Sequence, residues 1–454
     1  MRIIRKMLVS AFALGVAMAP TAPVQAQSLT QALTAACSFS PELQSAVLQA
    51  KASAENIAQA LSQKRPTIGA SVSGNYNWSM VGGQFNDSQS LTTGLQYNQT
   101  IFDNFQTDAR VEAARAGAEI ARHQILNTAQ NVLLSVVQAY MSVLSDRQLV
   151  ALRQENLEFF QAQLQSAQDR LEVGEGTRID VAQAEARLAQ GRAAYQAAIS
   201  SLEVSEATFQ RYVGASPGSL GASHNYARLI PSSIQAAIAQ AEANHPAILI
   251  SKAAIRAAQA GSDAAQAAFG PTASLTGQVG TRWTGPSGAP TDGISGSVGI
   301  SITIPIYAGG AIGSGVRQAN LEQIQSEVDA MSAYDQIREA VISAWAGIQS
   351  ADAQIAAANS AVSAGSEVLE GVIQERDLGT RTTLDVLNSQ AELINAREAV
   401  INASTQKVVA TFSLLSATGQ LAGQELCQSL RIEEVVDYTQ TVEDVWQELR
   451  TVED

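Results

Sequence analysis

The chain has 454 residues, with 42 acidic against 28 basic side chains and a formal net charge of −14. That balance excludes a basic nucleic-acid binder, which needs cations to neutralise phosphates. An apolar fraction of 46% excludes a disordered chain. Only 11 prolines and abundant alanine favour long helices over a row of compact domains.

Residues 1–26 read as a secretory leader. Arg2, Arg5 and Lys6 precede the short apolar run Met7–Ala19, and Val24-Gln25-Ala26 supplies small residues for cleavage. Thirteen apolar residues are too few to span a bilayer comfortably, which argues against a membrane anchor. Cleavage removes three cations and leaves 25 basic against 42 acidic groups, a mature charge of −17. Later segments are broken by Gln, Glu, Asp or Arg, so a membrane role has to come through β-strands.

Cys37 and Cys427 lie near opposite ends of the mature chain. In an oxidising compartment they form one disulfide or stand as two separate small buried residues, and the Cα separation decides. Cys37 lies too far beyond the apolar core to be a lipid-attachment site.

The chain is written twice. A shift of 205 positions places Pro41 on Pro246, Pro66 on Pro271, Trp78 on Trp283, Gly174 on Gly379, Asp180 on Asp385 and Gly214 on Gly419. Because Pro, Trp, Gly and Asp are scarce here, coincidence in an Ala-rich sequence is a poor explanation. The expected organisation is a first repeat over 27–214, a linker or equatorial region over 215–245, a second repeat over 246–419 and an acidic tail over 420–454.

Within each repeat a helix starts near a proline, over 41–65 and 246–269. Two alternating segments follow. Strands are expected over about 67–79 and 90–102, and again over about 272–283 and 294–306. Ile68, Ala70, Val72, Tyr76 and Trp78 share one face, with Ser71, Ser73, Asn75 and Asn77 on the other. Such lengths suit tilted transmembrane strands. The connections 79–90 and 284–293, rich in Gly, Ser, Asp and Pro, read as exposed loops.

Helices over 106–172 and 311–377 come next, free of proline and on the order of 100 Å long. The spacing of Val111, Ala114, Ala118, Ala121, Ile125 and Val132 is that of a coiled-coil seam. After a glycine-centred break, helices over 178–213 and 383–418 close the repeats.

Four strands cannot close a barrel, and an open sheet cannot span a membrane. The chain therefore needs copies of itself. Two copies give eight strands and a filled interior; three give twelve, and the small uncharged inner faces favour the wider barrel.

The duplicated layout, the strand exit Thr303-Ile304-Pro305-Ile306-Tyr307-Ala308-Gly309-Gly310 and the turn Leu378-Gly379-Thr380-Arg381-Thr382-Thr383-Leu384-Asp385-Val386-Leu387 resemble the TolC-like outer membrane efflux and secretion channels. The resemblance covers essentially the whole mature chain. It implies an α+β membrane protein, a homotrimer whose twelve-stranded barrel sits in outer membrane lipid and continues into a long helical coiled-coil barrel across the periplasm of a Gram-negative bacterium. It also implies a periplasmic adaptor (membrane fusion) protein and an inner-membrane pump or ABC exporter as partners, with no nucleic acid.

The resemblance places Val173–Arg178 and Leu378–Thr382 at the periplasmic tip, where Gly174, Gly176, Thr177, Gly379, Thr380 and Arg381 would meet the adaptor. Asp385 would form an acidic ring, and Arg381 and Asp180 a latch between neighbouring protomers. Arg376 stands where an aromatic latch residue can sit, so an Arg376–Asp180 ion pair is expected instead. Asn388 replaces a second carboxylate and halves the constriction's charge. A structural reading of Asp180 and Asp385, as carboxylates at helix starts, stands beside these roles.

Catalysis finds no support in the residues. His123, His224 and His245 lack metal-ligand spacing, and His245 reads as a neighbour of a helix cap. The run Gly309–Gly315 lacks the lysine of a phosphate loop. The expected function is an export duct without enzyme activity or cofactor, serving a tripartite efflux pump or a type I protein secretion system. The alternatives are a structural coiled-coil envelope protein and, more remotely, a periplasmic enzyme.

Overall fold

The computed structural model describes residues 27–221, 226, 229–284, 290–422, 427, 432–443 and 445. The leader expected over 1–26 lies outside the described residues. In chain order the elements are α1 (Leu29–Phe39), α2 (Pro41–Ser62), β1 (Thr67–Val81), β2 (Gln84–Phe102), α3 (Gln106–Glu172), α4 (Arg178–Val213), α5 (Ile234–Asn244), α6 (Pro246–Ala267), β3 (Thr272–Thr284), β4 (Pro290–Thr303), α7 (Ala311–Asp377), α8 (Thr383–Ala417) and α9 (Ile432–Glu443).

Proline opens both α2 and α6, where its missing N–H costs no hydrogen bond. The preceding side chain caps each: Ser40 accepts from the Leu43 amide, and His245 Nδ1 accepts from the Ala247 amide at 3.1 Å. Burial lowers the His245 imidazole to a pKa of about 4, so it is neutral and fit to accept.

The strands form one antiparallel sheet in the order β1-β2-β3-β4, and the β2–β3 pairing joins the two halves of the chain. β1 and β4 each have one partner, so both edges are open. The apolar face is bare, with Ile294 79% and Val298 82% exposed. No helix among the described residues is long and apolar enough to cross a membrane.

The structure corrects the expected loop at 79–90. β1 and β2 run on through it to a two-residue turn at Gly82-Gly83, with Val81 opposite Gln84. Both glycines have positive φ, 62° and 82°, which a tight hairpin turn accepts. The extension Gln84–Ser90 carries no regular alternation of oily and wet residues, which is why it reads as a loop. β4 is displaced similarly: it starts at Pro290 rather than 294 and stops at Thr303 rather than 306. Pro305 has no N–H to extend the ladder. Of the expected loop 284–293, residues 285–289 lie outside the described residues.

α3 and α7 each have 67 residues and reach on the order of 100 Å. Near the sheet α3 packs on α2 and α6; farther away it packs on α4 and α8, and α7 runs first beside α6 and then beside α8. Two long helices therefore carry shorter ones stacked end to end.

The main core lies midway. Leu33 and Ala36 of α1 meet Leu133, Val137 and Tyr140 of α3, Phe209 of α4 and Phe412 of α8. The Tyr140 hydroxyl lies 2.8 Å from the carbonyls of Gln27 and Gly221, which ties the segment before α1 to the linker. Cys37 and Cys427 are joined in a disulfide with Cα atoms 5.8 Å apart. In the acidic tail, α9 packs on α2 and α3, with Val435 against Ala50 and Ile125. Arg65 donates to the carbonyls of Glu443 and Val445, a cation closing the C-terminal end of α9.

Candidate functional site at the hairpin tips

Far from the sheet, α3 turns into α4 and α7 into α8. Each long helix ends on a glycine in the left-handed region, Gly174 at φ 82° and Gly379 at φ 80°. A side chain is disfavoured there, so glycine ends the helix cheaply. Each following helix opens with a reciprocal capping box. Asp180 accepts from the Thr177 amide and hydroxyl at 3.0 and 2.6 Å, while Thr177 accepts from the Asp180 amide. Asp385 does the same with Thr382, at 2.9 and 2.7 Å. At Asp385 these bonds and the helix start favour the carboxylate form. The Asp385 carboxyl is accordingly held below its ordinary pKa, first by the Thr382 amide and then by the Thr382 hydroxyl.

The charged residues expected at the gate take separate partners. Arg381 donates from Nε to Glu375 at 2.8 Å, and that carboxylate raises its pKa further. Thr380 donates its amide and hydroxyl to the Glu375 carbonyl. Arg376 is only 7% exposed. Its Nη1 donates to Gln163 of α3 at 2.6 Å, and its Nε and Nη2 donate to Asp377 at 3.0 and 2.8 Å. Within one protomer, among the described residues, Arg376 and Asp180 are therefore not brought together, because each is committed elsewhere. Asn388 accepts from Arg187 of α4 at 2.9 Å.

Three partners went unnoticed in the sequence: Gln163, Glu375 and Arg187. Gln163 and Arg187 tie the first hairpin to the second, alongside the buried Gln390–Asn156 bond at 3.0 Å. Phe160, Leu188 and Leu387 fill the space among these polar ties, and Gly191 leaves room for the Phe160 ring. Only the chain positions 205 apart hinted that the hairpins lie side by side. Val173, Ile179 and Leu378 stand exposed at the tips, an apolar patch beside the charges. No cluster of potential metal ligands occurs among the described residues.

The comparisons with known proteins agree with this architecture. The sequence model described as outer membrane efflux protein matches residues 32–215 and 237–420, once in each half. The outer membrane efflux protein BepC of Brucella suis is 37% identical over 426 residues, 94% of this chain and 92% of BepC. The outer membrane protein TolC of Escherichia coli is 26% identical, over 88% of this chain and 84% of TolC. In fold, the chain is similar to the CmeC outer membrane channel of Campylobacter jejuni, with a TM-score of 0.77, 18% identity and coverage of 90% and 89%. The chain belongs to the outer membrane efflux protein family.

Proposed function

We propose that this chain is one third of an export duct in the outer membrane of a Gram-negative bacterium. Three copies close a twelve-stranded barrel, and their helical hairpins continue as one tunnel across the periplasm. One observation carries the reading: an antiparallel sheet with two open edges and a bare apolar face leads directly into two helices about 100 Å long, each flanked by shorter helices stacked end to end. An open edge cannot sit in lipid, and a lone protomer would leave both exposed.

The duct holds no energy source of its own. An inner-membrane pump or ABC exporter drives transport, and a periplasmic adaptor protein joins it at the tips, on Gly174, Gly176, Thr177, Gly379, Thr380 and Arg381. The kinship with an efflux protein of Brucella suis supports efflux as the first use, with one-step protein secretion as the other. At the tip, three Asp385 carboxylates ring the axis. Arg381 and Asp180 face the neighbouring protomer, while Arg376 holds the two hairpins of its own chain together through Gln163.

The rival reading, a structural coiled-coil envelope protein, predicts neither barrel nor conductance. Purification in detergent followed by native mass measurement and planar-bilayer recording separates them. A heat-modifiable trimer that conducts ions is expected; a non-conducting monomer would sink the duct.

A further inference from the structure

Element boundaries in the two halves keep one numbering offset. The starts of α2 and α6, β1 and β3, α3 and α7, and α4 and α8 are each 205 residues apart, as are the ends of α3 and α7. Backbone specials follow the same offset: Asn104 and Phe105 match Gly309 and Gly310, Gly174 matches Gly379, and Gly214 matches Gly419, all at positive φ.

Inside the chain, one junction between halves is already made. β2 pairs with β3, with Leu91 opposite Trp283, Gly94 opposite Gly280 and Gln96 opposite Gln278. Each pair of numbers adds to 374. Moving one strand forward by 205 and the other back by 205 keeps that sum. The equivalent junction lies between β4 of one copy and β1 of the next.

From this we infer the register that closes the barrel: β4 of one copy pairs antiparallel with β1 of a second copy in the 374 frame. The inference rests on the trimeric reading above and adds the contact residue by residue. Ser301 then lies opposite Ser73, Gly299 opposite Asn75, Ile302 opposite Val72, and Val298 opposite Tyr76. Ile302–Val72 and Val298–Tyr76 match apolar with apolar, and Ser301–Ser73 and Gly299–Asn75 stay together on the opposite row of small or polar residues. A slip by one residue would set Ile302 and Val298 against the polar row, which the alternation forbids. A slip by two would satisfy the faces, so the 205 offset is what selects the frame.

Paired cysteines test the frame. Facing residues have Cα atoms about 4.5 or 5.5 Å apart, within disulfide reach. Ser73→Cys with Ser301→Cys should run as a covalent trimer on a non-reducing gel after mild oxidation. Asn75→Cys with Ser301→Cys, two residues out of frame, should stay mostly monomeric. Gln96→Cys with Gln278→Cys bridges within one chain and reports that the introduced pair is compatible with folding. A native-mass trimer in which Ser73→Cys/Ser301→Cys fails to bridge overturns the register while leaving the trimer intact. A protein that remains monomeric in detergent overturns the trimeric reading, and the seam with it.

Discussion

The two tips share a backbone plan and differ in chemistry. Gly176 stands in the first where Arg381 stands in the second, 205 residues on. In the first tip the amides of Glu175 and Gly176 both converge on the Arg170 carbonyl, at 2.8 and 2.9 Å. A Cβ on Gly176 would come within 3.1 Å of the Leu171 nitrogen, so that turn is closed by bare backbone. In the second tip one amide and the Thr380 hydroxyl converge on the Glu375 carbonyl, and Arg381 reaches back to the Glu375 carboxylate. One turn is a compact hinge of main chain. The other adds a side-chain ion pair, Arg381 to Glu375.

The widest gap between the tips is expected at their aspartates. Both complete a capping box at the third helical position, with Thr177 or Thr382 as partner. Only Asp385 is assigned to the axial ring. Asp385→Ala should abolish block by multivalent cations in planar bilayers, whereas Asp180→Ala should leave that block in place. Block that survives Asp385→Ala refutes the ring, and block lost in both variants refutes the division of labour between tips.

A smaller effect is expected from the two arginines. Arg381→Ala removes an exposed contact and should raise conductance with little change in stability, since solvent screens an exposed ion pair. Arg376→Ala strips a buried bond to Gln163 and should lower stability by about 1–3 kcal/mol as well as raise conductance. Thermal unfolding and single-channel recording on the same samples separate the two. Unchanged conductance in both variants would remove the arginines from the gate.

Much of this architecture is readable in the chain because its signals are local. Helices without proline that stop at Gly174 and Gly379, and prolines at 41 and 246, mark element ends by backbone chemistry alone. The strands are legible where oily and wet residues alternate; Gln84–Ser90 lacks that alternation, and nothing local separates the Gly82-Gly83 turn from a longer loop. At the tips, glycines and capping residues could be placed from neighbours three positions away. The partners of Arg376 and Asn388 could not: Gln163 is 213 residues from Arg376, and Arg187 is 201 from Asn388. Those contacts depend on how one hairpin lies against the other, and no local pattern encodes it.

The finest contrast concerns how strongly a tip holds its charge. The Asp385 carboxyl lies below its ordinary pKa because the Thr382 amide and hydroxyl bond to it, with the amide the larger cause. A depressed carboxylate stays charged as pH falls through the usual carboxylate range and loses its charge, with the stability its bonds contribute, only near the lowered value. Cation block should therefore persist to a lower pH than a free carboxylate would allow. In a trimer, three like charges near one axis push the other way, raising each pKa. A difference between two proteins removes that shared contribution. Thr382→Val deletes the hydroxyl bond and keeps the amide, so the pH midpoint of block should move upward by a modest amount while the block at neutral pH is unchanged. The same substitution at Thr177 should leave the midpoint where it was. A midpoint unmoved by Thr382→Val would mean that the hydroxyl does not tune the ring, and that the two tips cap their helices alike and differ only in where their aspartates point.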